Sequence, residues 1–527
     1  MPNIRTKTKI SFALTLSLAL SVPTLASAAA DTGWTKSSKL YEVRTWTGKS
    51  ELGHTNGALN DTTFFHPYSA VALPDGRLLV SDFENHLLRA VSATGTVTYA
   101  GLDLGQDESN LPIGGYGDGP LLKSAFEHPA GMAIDAQGNV FLADSENNAI
   151  RRIGKDGQVT TLAGSGKLGS DDGAGEAASF DHPSDVAVDK NGTVYVADTL
   201  NNAIRKISAD GQVTTLTANS DRPIEYFPGA VDYAGNFKDG PIASAMFNEP
   251  SGLAIDAKGN LYVSDRGNQR IRYIDFAAGT VITVAGGGTL DKQAPYVEGD
   301  YVDGSAVQSR LNAPEGLTVT PDGTLIIADS LNHAIRTLKD GQVGTLTGIA
   351  TEFGKSDGVS ASAQFNHPTD VTVLADGRLV IVDEYGNKVR VLQKYAAPAS
   401  LPADKIIKVL YDGALVTTDV PAQMKSGSVM LPLRNVATAL GYTVDYDDKA
   451  QAAILTNGET VYTIKSKSKK VTKTVKGKAQ QITLNAATFE KGNRLFIPVR
   501  FFAEESGLDV QWDQAAQIVV IRNKQFN

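Results

Sequence analysis

The chemistry available to this chain is limited by what it lacks. It has seven histidines and no cysteine in 527 residues, so a nucleophile or metal site must be built from imidazoles, carboxylates and hydroxyls. His66, His128, His182 and His367 each precede a proline, and Glu249 and Ala313 hold the same place at two further Pro steps. His86 and His333 share a second recurring position, and His54 stands apart. Recurrence suits a structural task such as bonding a neighbouring carbonyl. If the Pro steps are set around a circle, however, His367, His66, His128, His182 and Glu249 follow one another along a rim, with Asp370 and Asp185 three places further along two strands. Three imidazoles and a carboxylate that converge to about 2.1 Å from one point hold a divalent metal. That rim is one candidate site, and a divalent ion is the only cofactor it suggests. A second candidate lies in the long insertions Leu102 to Ala125, Asn219 to Met246 and Gly287 to Arg310, expected to crowd one surface. They carry Tyr226, Tyr233, Tyr296 and Tyr301 beside Glu225 and Asp232, an aromatic and acidic set suited to sugars, peptides or cations. No nucleophile elbow, phosphate-binding loop, zincin helix or calcium-loop pattern occurs.

The elements that position these residues are repeats. Six copies of Asp, six residues, Arg occur: DFENHLLR (Asp82 to Arg89), DSENNAIR (Asp144 to Arg151), DTLNNAIR (Asp198 to Arg205), DRGNQRIR (Asp265 to Arg272), DSLNHAIR (Asp329 to Arg336) and DEYGNKVR (Asp383 to Arg390). Around each copy, apolar residues alternate with polar ones between Asn-Gly or Asp-Gly punctuation, as in DVAVD-KNG-TVYVAD. That is the pattern of antiparallel strands joined by tight turns. Four strands per repeat, six times over, give a propeller, with the Arg placed to reach back to its Asp. Asp-Gly pairs such as Asp118-Gly119, Asp239-Gly240, Asp303-Gly304 and Asp357-Gly358 read as turns. The sixth copy stops after three strands, and Tyr41 to Thr47 supplies the missing one against Lys388 to Gln393. Ring closure removes two exposed edges.

These motifs resemble the NHL repeat, and over residues 39–394 the chain is similar to a six-bladed NHL β-propeller. The fold class expected is mainly β: a propeller closed by an N-terminal strand, plus a small duplicated α+β domain. The resemblance covers binding platforms, lyases and hydrolase-like enzymes, so it does not choose among them.

After a linker at 395–403, residues 404–527 contain an internal duplication. LPLRNVATALGYTVDYD and IPVRFFAEESGLDVQWD match at Pro432/Pro498, Arg434/Arg500, Ala437/Ala503, Gly441/Gly507, Val444/Val510 and Asp447/Asp513. Each half reads as a strand, a short helix stopped by Gly, and a second strand. It resembles the copper amine oxidase N-terminal-like, or stalk, domain. The segment has no His, so neither copper nor amine oxidation is expected of it. Its net charge is +5, against −17 for the propeller. Seven of its lysines fall in KSKSKKVTKTVKGK, Lys465 to Lys478, read as a solvated hairpin or as a patch for anionic wall polymer, a membrane surface or the acidic propeller.

Residues 1–28 read as a secretory leader, with Arg5, Lys7 and Lys9 before the apolar run Ile10 to Val22 and small residues at Ala26-Ser27-Ala28. No segment suits a permanent membrane span. The net charge of −9 argues against nucleic acid. The chain is therefore expected to be a secreted or cell-wall-associated binding or scaffold protein, with a Gram-positive habit in its lack of cysteine. Its expected ligand is a protein, peptide or cell-wall glycan held by propeller loops. The alternative is a metal-dependent lyase or hydrolase working at the His rim.

Overall fold

The computed structural model describes residues Leu40 to Phe526 except Asp221, Pro228, Gly229, Lys292, Gln293, Ala403, Lys405 and Ala515, and also leaves undescribed the side chains of 226–232, Ala503 and Glu504. The leader falls outside these residues, as do the side chains of Tyr226 and Asp232. Six antiparallel sheets, blades 1 to 6, follow one another. Their innermost strands are Pro67–Ala72, Pro129–Ile134, Pro183–Val188, Pro250–Ile255, Pro314–Val319 and Pro368–Val373. Each packs on its neighbours, the sixth against the first, so the ring is closed. Tyr41–Thr47 completes blade 6 antiparallel to Lys388–Lys394, with Val43 opposite Leu392. Apolar side chains from facing blades fill the space between them, as where Ile326 and Ile335 meet Val371 and Ile381.

The Asp and Arg of each repeat form a buried pin. Arg Nη1 lies 2.5–2.8 Å from the carboxylate in all six blades, from Arg89–Asp82 to Arg390–Asp383. Each guanidinium also donates to two backbone carbonyls, for Arg205 those of Ser179 and Asp171. Burial pulls Asp144 and Asp198 up to about 6, against the pull of their arginines, which leaves both ionised at neutral pH. The Asp-Gly pairs are more than the turns expected of them. Gly119–Pro120, Gly240–Pro241, Gly304–Ser305 and Asp357–Val359 form short fifth strands at the outer edges. The aspartates before those glycines give the pinned arginines a second carboxylate, at 2.7 Å for Asp118 and Arg151. The pairing needs an acid there, and in three of these edges the next residue has a φ of 132–146°, met by Gly119, Gly240 and Gly304.

The C-terminal domain matches the duplicated reading. The first half runs Ser428–Pro432, helix α1 (Leu433–Ala439) and Thr443–Asp447. The second runs Arg494–Pro498, helix α2 (Val499–Ser506) and Asp509–Asp513. Leu431 pairs directly with its own equivalent, Ile497, so a local two-fold axis passes between them. The lysine run lies in a five-stranded meander, Thr460–Lys465, Lys470–Val475 and Lys478–Thr483 being three of its strands. The domain is stitched to blade 6. Gln525–Phe526 extends that blade's sheet by pairing with Asp357–Val359. Arg522 reaches Glu42 of the closing strand at 3.0 Å, both side chains 4% exposed, and Leu40, Leu410, Ile518 and Val520 form a shared apolar cluster.

Candidate functional site: the rim of the propeller

The residue before each blade-opening proline has a left-handed φ of 48–62° at His66, His128, His182, Glu249, Ala313 and His367. That conformation turns its N–H toward the preceding blade, where one side chain accepts it. Asn387 takes the N–H of His66, His86 that of His128, Asn148 that of His182, Asn202 that of Glu249, Gln269 that of Ala313 and His333 that of His367, at 2.6–3.2 Å. Six latches thus link each blade to the next around the ring. The backbone of the Pro-step residue donates whatever its side chain, as at Ala313, and the corner residue four places after each Asp accepts. The acceptors were legible as an unbroken series of His, Asn and Gln at that position.

At the rim the imidazoles lie against acidic and aromatic side chains. The His128 ring stacks on Phe83 at 4.5 Å and sits 3.4 Å from Glu84 and 3.7 Å from Glu146. His182 faces Asp181 at 2.6 Å and Glu146 at 3.3 Å. His367 bonds Glu384 at 2.6 Å and stacks on Tyr385, whose ring also meets His66 edge-on at 4.7 Å. Glu249 lies between Tyr296, whose hydroxyl donates at 2.7 Å, and Arg266 at 3.1 Å; Arg266 in turn reaches Glu315 at 3.3 Å. His128 and His182 share Glu146, His66 and His367 share Tyr385, and among the described residues no three His, Asp or Glu are placed to hold a metal. Asp185 and Asp370 are below the rim, as blade staples. Asp185 accepts the N–H of Leu253 in blade 4, and Asp370 that of Ala70 and the hydroxyl of Ser69 in blade 1.

The pKa directions divide the ring. Burial opposes charge on His128 and His367, yet the hydrogen bonds they donate to Glu84 and Glu384 prevail and raise both. Burial pushes His66 and His333 down, and with the nearby His128 it takes His86 to about 4. Burial raises Asp370 to about 6, and raises Asp185 further with help from the charge of Asp370.

Glu84, Glu146, Arg266, Glu315, Glu384 and Tyr385 are rim residues that pattern reading missed. Five of these stand one or two places after a corner Asp, where the six copies read FE, SE, TL, RG, SL and EY. Variation there, inside an otherwise fixed motif, was the available signal.

The insertions separate. Arg222 donates to the carbonyls of Ala294 and Pro295, so the second and third insertions pack on each other. Tyr296 reaches the rim from there. Tyr233 is 66% exposed on the hairpin Arg222–Phe227 and Ala230–Ala234, which also carries exposed Glu225. Tyr301 instead covers Arg336 at 4.6 Å and bonds Thr345, as Tyr116 of the first insertion covers Arg151 at 4.9 Å, so both serve the blade pins. The first insertion packs at blades 1 and 2 through His86 and Pro112, away from the other two.

Comparison with known proteins agrees with this architecture. The NHL repeat family model matches residues 126–153, 180–207 and 247–272, and the model of the copper amine oxidase N-terminal domain matches 410–521. Relatives include the chloroplastic protein SUPPRESSOR OF QUENCHING 1 of Arabidopsis thaliana, 30% identical over 52% of this chain and 26% of its own length. NHL repeat-containing protein 2 of Bos taurus is 28% identical over 59% of this chain and 44% of its own. The chain thus matches less than half the length of either relative. Among solved structures, an auxiliary nutrient binding protein from Bacteroides ovatus has a TM-score of 0.48 at 16% identity, covering 68% of this chain and 78% of that one. A streptogramin B lyase has a TM-score of 0.40 at 10% identity, over 67% and 98%. The chain carries NHL repeats, bent into a six-bladed β-propeller, and a copper amine oxidase N-terminal domain at its C-terminus.

Proposed function

We propose that this is an exported, non-catalytic binding or scaffold protein of the cell envelope. Its propeller rim receives a cationic segment of a protein or peptide partner, and its C-terminal domain provides attachment or a second interaction. The observation that carries this reading is the gathering of Glu84, Glu146, Glu249, Glu315 and Glu384 at one mouth of the ring, where Arg266 is their fixed cation. Phe83, Tyr385 and Tyr296 interleave with them, and ammonium and guanidinium groups are attracted both by carboxylates and by ring faces. The charge of −17 on the propeller adds long-range steering toward a basic partner.

Calorimetric titration of the full chain with a tetra-lysine peptide tests the proposal. Saturable binding is expected, weakened about tenfold by Glu84→Gln with Glu146→Gln and strengthened at low salt. Equal binding by the variant, or equal binding of a tetra-glutamate peptide, would refute it.

A further inference from the structure

The duplication in the C-terminal domain produces one cleft twice, and the two copies have diverged in charge. In the first, Arg434 at the start of α1 stands beside Val444 and Tyr446 of the following strand. In the second, Arg500 at the start of α2 stands beside Val510 and Trp512. Each cleft is walled by a hairpin from the other half: Glu490 to Leu495 for the first, Met424 to Val429 for the second. Both arginines are exposed, and neither has an ion pair or hydrogen bond among the described residues. The first cleft sets Asp445 and Glu490 against its arginines, and its Arg494 is already paired with Asp419. In the second, the equivalents of Asp445 and Glu490 are Gln511 and Met424, so among the described residues Arg500 is the only charged group on its lining.

We propose that this second cleft binds one carboxylate-bearing sugar unit of an acidic polysaccharide. Its volume, about 290 Å³, is of the scale of small-ligand pockets. An unpaired guanidinium offers two parallel donors to a carboxylate. The indole of Trp512, fixed by donation from its N–H to Gln514 at 2.7 Å, supplies a flat apolar face for a sugar ring. Ser428 and Asn485, bonded to each other at 3.0 Å, and Gln511 offer hydroxyl and amide groups to ring hydroxyls. A polyanion also suits the charge of the domain: five lysines of the run from Lys465 to Lys478 make no ion pair among the described residues, Lys473 and Lys476 being paired with Glu505 and Glu459. The site deepens the reading of this domain as an attachment module and shares no residue with the propeller rim, so each can fail alone.

Titration of the full chain with trigalacturonate, followed by calorimetry and tryptophan fluorescence, tests the assignment. Binding is expected to weaken at least tenfold in Arg500→Gln and less in Arg500→Lys. Arg434→Gln should stay within twofold, and neutral maltotriose should fail to bind. Arg500 is exposed, so thermal melting of Arg500→Gln should match the parent and exclude misfolding as the cause. The assignment is overturned if trigalacturonate does not bind, if Arg500→Gln binds it unchanged, or if maltotriose binds equally. Tighter binding of a tripeptide with a free carboxyl terminus would also overturn it and reassign the cleft to peptide ends.

Discussion

His86 makes the ring of latches sensitive to acid. Its Nδ1 accepts the N–H of His128 at 3.0 Å, and its Nε2 meets the carbonyl of Pro112 at 3.2 Å, which requires the neutral ring with its proton on Nε2. Protonation of Nδ1 would turn acceptor into donor and open the latch. Burial and the neighbouring His128 push the folded-state pKa from 6.5 to about 4. The sign follows: the unfolded chain takes up this proton near pH 6.5 and the folded chain does not, so stability present above pH 6.5 is lost as pH falls toward 4. The full shift corresponds to roughly 3 kcal/mol, and partial solvent access reduces it to about 2 kcal/mol. Asn148, Asn202 and Asn387 perform the same task without titrating. His86→Asn should therefore cost no more than about 1 kcal/mol at pH 7, for the lost Pro112 contact. Between pH 7 and 4.5 it should lose about 2 kcal/mol less than the parent. Urea unfolding of both proteins at the two pH values gives this double difference, in which the shared carboxylate titrations cancel. A difference below about 0.5 kcal/mol, or one of opposite sign, would refute the latch.

Asp198→Asn leaves the buried Arg205 with only the partly exposed Asp172 as a carboxylate partner and should cost about 3 kcal/mol, whereas Arg152→Gln, which alters an exposed side chain, should change stability by less than about 0.5 kcal/mol; urea unfolding of each measures both. Arg522→Gln leaves Glu42 buried with Arg44 as its one remaining cation among the described residues. The expected loss is about 3 kcal/mol, with faster hydrogen exchange in the closing strand Tyr41–Thr47 than in blade 3. Gly252→Ala would place a methyl group 2.1 Å from the carbonyl oxygen of Glu315 in the next blade, so a drop of about 1–3 kcal/mol in thermal or urea stability is expected.

Much of the fold was legible because it is repetition. The unvarying offset from Asp to Arg reflects two side chains that must meet inside every blade, and a truncated sixth copy left Tyr41–Thr47 one place to go. The 66-residue spacing in the C-terminal domain marked two halves that now pair at Leu431 and Ile497. The candidate site was legible only as a position. His66, His128, His182, Glu249 and His367 do succeed one another around the rim. Which groups face them is set by residues that do not recur, such as Glu84, Glu384 and Arg266, and by blade contacts distant in sequence. Likewise Tyr296 and Tyr301 look alike in the chain, yet one reaches Glu249 and the other roofs Arg336. The stitch between domains, Arg522 to Glu42 across 480 positions, had no local signature.

The binding role of the propeller is tested most directly by a crystal structure of the full chain grown with tetra-lysine peptide. The account predicts an ammonium group at the rim, within hydrogen-bonding reach of Glu84 or Glu146 and close to the ring of Phe83 or Tyr385. Peptide bound only outside the rim, or an empty rim under conditions where calorimetry shows saturation, would contradict it.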